Sequence, residues 1–280
     1  MNVQAARCSR TRPTTAERVF ALVCLLALCW GLACGLADLV MPEASGVTVY
    51  EKKGTTVDAS HSDQGYVMIK QEGLDKKLKV RLTRGKYSLT YDLNSNGTYE
   101  VYPLQLGEGK YKVQVFSQVS GNRYGTVSSL SFTVALESEF APYLCPSQYV
   151  NYTADCRTVQ RANEICAGLT DDRAKYEALS QYVVSRMSYD YDLARTVQSG
   201  YLPAVDNTLM LNTGICFDFS SLMAAMLRSQ GIPTQLVIGY ADKQYHAWNE
   251  TYIDGAWQRF DVTAEICGTT VKTYTTERYY

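Results

Sequence analysis

N-T-G-I-C-F-D-F-S-S-L-M-A-A-M-L-R-S-Q-G-I-P (residues 212–233), T-Q-L-V-I-G-Y (234–240) and Y-H-A-W-N-E-T-Y-I-D-G-A-W-Q-R-F-D-V-T (245–263) are the stretches that decide the fold. Gly214 precedes Cys216, and Asn212 or Thr213 can cap a helix from about Cys216 to Ser229, which Gly231 and Pro233 then stop. Cys216, Phe219, Met223 and Leu227 fall on one face of that helix, so a thiol stands at the first turn of an apolar stripe. A helix N-terminus offers unpaired N–H groups and about half a positive charge, which favours a thiolate and can hold an oxyanion. The bland alternative is a free cysteine serving as a small buried hydrophobe.

The hairpin downstream supplies a partner. Asp254-Gly255 is a two-residue turn signal between two strand-like runs. That turn sets Ile253 against Ala256, Glu250 against Arg259, Trp248 against Asp261 and His246 against Thr263. His246 and Asp261 then share one sheet face as diagonal neighbours about 7–8 Å apart at Cα, within reach of a carboxylate–imidazole hydrogen bond. A slip of one residue would put them on opposite faces, and the opposite-charge pair Glu250–Arg259 supports the register that joins them. Alone, His246 is a half-buried strand histidine and Asp261 a strand-end residue. Together with Cys216 they are the parts of an activated thiol nucleophile, with Cys216 attacking, His246 as base and Asp261 orienting the imidazole. A zinc site would need three or four ligands at recognisable spacing, whereas the chain has two histidines and no C-x-x-C, so no metal and no cofactor is expected.

Outward from this stretch, the chain has 280 residues, enough for one or two domains, and a net charge of -1 that makes no case for nucleic acid. Arg7, Arg10, Arg12 and Arg18 precede the apolar run from Phe20 to Ala37, which ends in Gly35-Leu36-Ala37. That pattern is a secretory signal peptide over residues 1–37, with an uncleaved membrane anchor as the alternative and a lipid-anchored Cys34 a weaker one. Location is thus secreted or on the extracellular face of the membrane, with membrane contact only through the N-terminal segment if it stays uncleaved. Cys8, Cys24, Cys29 and Cys34 lie in the leader, leaving Cys145, Cys156, Cys166, Cys216 and Cys267. If Cys216 is free, the other four allow two disulfides in three pairings, or all stay reduced.

Residues 45–137 read as an all-β domain of about seven short alternating strands, an immunoglobulin-like sandwich. Its histidine, His61, sits in a polar loop, and the domain is assigned no chemistry. Residues 138–151 carry two prolines and no periodicity, as a linker or an extended segment running over the second domain. From residue 152 to 280 helical signals begin: a short helix with Val159, Ala162, Ile165 and Leu169 inward, then one capped by Thr170 with Tyr176, Leu179, Val183 and Met187 inward. Ser188–Ala194 ends that helix, and Arg195–Leu211 reads as a loop leading to Cys216.

G-I-C-F-D-F-S-S-L-M-A-A-M-L-R-S-Q-G-I-P, the I-G-Y strand, H-A-W-N-E-T-Y-I-D-G-A-W and F-D-V-T, with S-Y-D-Y-D-L-A ahead of them, resemble the bacterial transglutaminase-like superfamily over residues 150–271. The resemblance implies an α+β fold with a papain-like core, the cysteine helix packed on an antiparallel sheet, and it maps the catalytic roles onto Cys216, His246 and Asp261. Val262 stands where the family often has proline, and the side-chain oxyanion donor of papain-like enzymes has no counterpart assignable upstream. The implied activity is that of an exported thiol enzyme acting on amide bonds of proteins or peptides through an acyl-thioester, by transamidation or hydrolysis. A cell-wall or surface protein is one such substrate. The competing reading is a catalytically silent cell-surface binding or adhesion protein, which the β-rich half and the 22 tyrosines also suit.

Overall fold

Alternation over the first part of the chain produces strands in the computed structural model, which describes residues 39–280. The leader read at residues 1–37 lies outside the described residues. The strands are β1 (Val49–Lys52), β2 (Thr55–Asp58), β3 (Tyr66–Gln71), β4 (Leu78–Arg84), β5 (Tyr87–Leu93), β6 (Glu100–Pro103), β7 (Gly109–Ser120) and β8 (Arg123–Val134). They form two antiparallel four-stranded sheets, ordered β1-β2-β3-β6 and β5-β4-β7-β8. Leu78, Val80 and Leu82 are buried while Lys79 and Arg81 between them are not, the signature of a sheet with one dry face. The strand missing from the sequence reading is β2. All four of its residues are buried, so it shows no alternation to read. Tyr102 of β6 donates to the main-chain oxygen of Asp92 on β5 at 2.9 Å, tying the two sheets at one end.

Residues 138–151 hold a short 3-10 turn at Ala141–Tyr143 and bury Pro142, Tyr143, Cys145, Ser147 and Val150. Phe140 stacks on Tyr252 with ring centroids 4.2 Å apart, and Tyr143 meets Trp257 edge-on at 5.2 Å. The backbone of this strap serves the helical part of the chain: Ser221 Oγ donates to the Tyr149 carbonyl at 2.5 Å.

Next come α1 (Arg157–Ile165), α2 (Asp172–Arg186), β9 (Ser188–Tyr189), α3 (Tyr191–Thr196), α4 (Val205–Leu211), β10 (Thr213–Gly214), α5 (Cys216–Ser229), β11 (Thr234–Ala241), β12 (Gln244–Ile253), β13 (Ala256–Phe260), α6 (Val262–Cys267) and β14 (Tyr274–Tyr279). The third sheet is antiparallel in the order β13-β12-β11-β14, and β9 pairs with β10 in parallel. Three local expectations are corrected. Asp171, not Thr170, caps α2, because its carboxylate reaches the Ala174 N–H at 2.9 Å. Asp190 caps a new helix, α3, where the chain was read only as the end of α2. The stretch 195–211 is not all loop: Val205, Thr208 and Leu209 turn inward as α4. Its polar sequence hid the period, since Asp206 is spent on α1, accepting from the Thr158 N–H at 2.9 Å.

Every residue of α5 from Asp218 to Ser229 is buried, so this helix is core on all sides. That burial includes a cation. Arg228 is 1% exposed, and its guanidinium donates to the main-chain oxygens of Thr234 at 2.9 Å, Cys145 at 2.7 Å and Tyr280 at 2.8 Å. One side chain thus joins α5 to the start of β11, the strap and the end of the last strand. Hydrogen bonds from a charged donor are worth roughly 1.5–3 kcal/mol each, and leaving buried acceptors unpaired forfeits more. Arg228→Met is expected to lower unfolding free energy by about 3 kcal/mol or more, read as a fall in the urea midpoint at constant slope.

Candidate active site

Cys216 is the first residue of α5, and Ile215 in extended conformation precedes it. The expected cap is corrected here. Asn212 has φ +53 and closes α4, while Thr213-Gly214 pairs with Ser188-Tyr189. The helix start is held instead by Asp218, whose carboxylate accepts from the Ile215 N–H at 2.9 Å and from the Tyr201 hydroxyl at 2.7 Å. Burial pushes the Asp218 carboxyl up from its ordinary value against these two bonds. Gly214 is required at this approach, since a Cβ there would stand 2.7 Å from the Cβ of Asp218. Among the described residues, the main-chain N–H of Cys216 meets no acceptor, as the first N–H of a helix does.

The hairpin is as the Asp254-Gly255 turn predicts, with φ +56 and +77, Ile253 opposite Ala256 and Glu250 opposite Arg259. Pairing then stops at Asn249–Phe260. Asp261 is therefore not on the strand, and Thr263, a residue of α6, does not face His246. The reason is capping: Asp261 Oδ1 accepts from the Ala264 N–H at 3.0 Å and starts α6. The contact arrives by this other route, with His246 Nε2 2.9 Å from Asp261 Oδ2. The D-V-T-A-E run, an N-cap residue with an acid in the first turn, carried that signal.

The Cys216 side chain is the second group that acts on the His246 imidazole. Nε2 is committed to Asp261, which leaves Nδ1 as the imidazole's other nitrogen. Burial pulls His246 down from its ordinary 6.5, but the bonds and charges of Asp261 and Cys216 outweigh it and raise the imidazole to about 9. Asp261 is pushed up by burial and, more strongly in sum, held below the usual carboxylate range by His246, the Ala264 N–H and Tyr274. Trp248 is fully buried beside them, its ring 6.3 Å from His246 and 24° from parallel to it. Gly239 of β11 pairs with His246, and a Cβ on it would come 2.0 Å from the Thr275 carbonyl of β14. Only glycine lets β14 lie so close to the histidine's neighbour on β11.

Two features went unread in the sequence. The first is β14 itself, whose Tyr274 donates from its hydroxyl to Asp261 Oδ2 at 2.8 Å. The second is a cleft of about 990 Å³ walled by Tyr189, Tyr191, Arg195, Lys243, His246, Asp261 and Cys267, among others. The thiols differ in kind. Cys145, Cys156, Cys166, Cys216 and Cys267 are all free, and burial pushes Cys145 up to about 12 and Cys166 to about 11. His61 stacks on Tyr66 at 5.7 Å and lies 3.4 Å from Glu43, far less open than a solvated loop residue. Among the described residues no cluster of three or more metal-ligating side chains exists.

Because the folded-state value of His246 lies above 6.5, its contribution to stability is complete below pH 6.5 and disappears as pH rises through about 9. The difference in unfolding free energy between the wild type and His246→Gln should accordingly be flat at low pH and shrink between these two values. Denaturant titrations at a series of pH values measure it, and a gap that widens toward pH 9 would contradict the assignment.

Residues 159–262 match the family model of the transglutaminase-like superfamily. Among curated proteins, none matches the chain significantly. Solved structures similar to it include a protein from Cytophaga hutchinsonii provisionally assigned as a cysteine protease, at 16% identity and TM-score 0.40, covering 84% of this chain and 81% of that one. A transglutaminase is 20% identical with TM-score 0.36, over 56% of this chain and 47% of the other. The red sea bream transglutaminase is 13% identical with TM-score 0.30, over 74% and 49%. The chain spans about half the length of these two transglutaminases.

Proposed function

We propose that this chain, whose residues 159–262 match the transglutaminase-like superfamily, is an exported thiol enzyme that acts on carboxamide or peptide bonds. The observation that carries the reading is the His246–Asp261 hydrogen bond at 2.9 Å, with Cys216 and Asp261 together raising the imidazole to about 9. Cys216 stands at the first position of α5, with His246 acting beside it, which supports the same reading.

The reaction then has ordinary steps. The Cys216 sulfur attacks the carbonyl carbon, and the carbonyl oxygen takes up negative charge beside the free Cys216 N–H. As the tetrahedral adduct collapses, the carbon–nitrogen bond breaks and the nitrogen leaves with the His246 proton, leaving an acyl-thioester. An amine or water attacks that thioester, giving its proton to His246 and releasing Cys216. Asp261 holds the Nε2–H tautomer throughout, so that Nδ1 is the nitrogen that trades protons. The two sheets of residues 49–134 are read as an immunoglobulin-like module without chemistry of its own. Residues 152–280 are the papain-like catalytic domain, and residues 138–151 join the two. The substrate is a protein or peptide outside the cell.

The test is incubation of the mature chain with a glutamine-containing peptide and a labelled amine, with mass analysis of the products. Label in the peptide indicates transfer, and deamidation or cleavage indicates hydrolysis. Cys216→Ala is expected to lower either rate by at least about a thousandfold. Equal product from both proteins would remove the thiol mechanism, and no product from the wild type would favour the binding role.

A further inference from the structure

Tyr274 lies past every residue that the motif supplies, on a strand at the sheet edge. Its hydroxyl reaches Asp261 Oδ2 at 2.8 Å, the oxygen that also takes His246 Nε2 at 2.9 Å, while Oδ1 takes the Ala264 N–H at 3.0 Å. An ionised carboxylate only accepts hydrogen bonds, so Tyr274 is the donor. Burial and the neighbouring Asp261 both push the ionisation of Tyr274 above its ordinary value, which keeps that proton on the phenol. The ring is clamped in turn: Trp248 meets it edge-on at 5.0 Å, and the Arg259 guanidinium lies 4.3 Å from its centroid. Arg259 is itself 3.9 Å from Glu250 across the hairpin.

We infer that Tyr274 is a positioning residue: it stops rotation of the Asp261 carboxylate and keeps Oδ2 turned to His246, thereby setting the imidazole that faces Cys216. The inference rests on the proposed Cys216–His246–Asp261 triad. The charged and titratable groups facing the pair are Cys216 on the imidazole side, and Arg259, Asp242 and Cys267 on the side of Tyr274 and Asp261.

The experiment follows the titration of His246 by ¹⁵N NMR in the full mature chain, where only His61 competes for assignment. Tyr274→Phe keeps the ring between Trp248 and Arg259 and removes the hydroxyl alone. Its His246 midpoint is expected to fall by about one pH unit relative to the wild type. Asp261→Asn should lower the midpoint further, and adding Tyr274→Phe to it should do nothing more, because the hydroxyl acts through the carboxylate. In the amine-transfer assay Tyr274→Phe should lower kcat about tenfold and leave KM within about twofold. Thr276→Ala, exposed on the same strand, should change neither quantity and so controls for loosening of the strand. An unmoved midpoint in Tyr274→Phe, or an equal shift in the presence and absence of the Asp261 carboxylate, would overturn the inference. The titration needs no turnover, so an inactive wild type with a Tyr274-dependent midpoint would defeat the enzyme reading alone. An active enzyme with an unmoved midpoint would defeat only the role of Tyr274.

Discussion

The buried guanidinium of Arg228 is the constraint on which the second half of the molecule is assembled. Its three acceptors come from the strap, from the start of β11 and from Tyr280, segments far apart in sequence. No acidic side chain lies among them, and all three acceptors are main-chain oxygens. Burial accordingly pulls the Arg228 guanidinium below its ordinary value, against the influence of nearby tyrosines and Cys145. With that node in place, α5 cannot shift along its axis without stranding carbonyls, and its N-terminus, where Cys216 stands, is located by its other end. The same node brings in the last strand, which delivers Tyr274 to the site.

How much was legible depended on whether the signal was local. The Asp254-Gly255 turn and the Glu250–Arg259 pair are contiguous in the chain, and the register they predict is the register found. The helix from Cys216 to Ser229 follows from apolar spacing and from Gly231 and Pro233 beyond it. The route from His246 to Asp261 was misread because two local tendencies compete at Phe260. Continuing the ladder was weighed, and capping a helix, for which aspartate is well suited, was not. Strand β14 shows the opposite failure. Its T-T-E-R centre is exposed, so no hydrophobic alternation marks it, and its place beside β11 depends on Gly239 some forty residues earlier leaving room for the Thr275 carbonyl. Such a fact exists only between segments.

Environment separates the thiols that the composition treats alike. Cys145 is fully enclosed and gives its S–H toward main-chain oxygens, including that of Ala141 at 3.4 Å. Cys216 is half-buried at a helix start, and His246, on which it acts, lines the cleft. The first arrangement suppresses ionisation, pushing Cys145 up to about 12. A count of cysteines could suggest disulfides, whereas their surroundings divide them into enclosed and half-buried thiols.

Asp261 has a consequence beyond its contacts. Polar groups assembled for catalysis usually burden a fold, so their removal often makes a protein sturdier and less active. Here one oxygen of the carboxylate starts a helix while the other orients the imidazole. A mutation that abolishes both contacts damages the scaffold and the chemistry together. Only a residue that still caps the helix, such as asparagine, serine or threonine, would lose the charge and spare the scaffold. At this residue the familiar exchange of activity for robustness is largely closed.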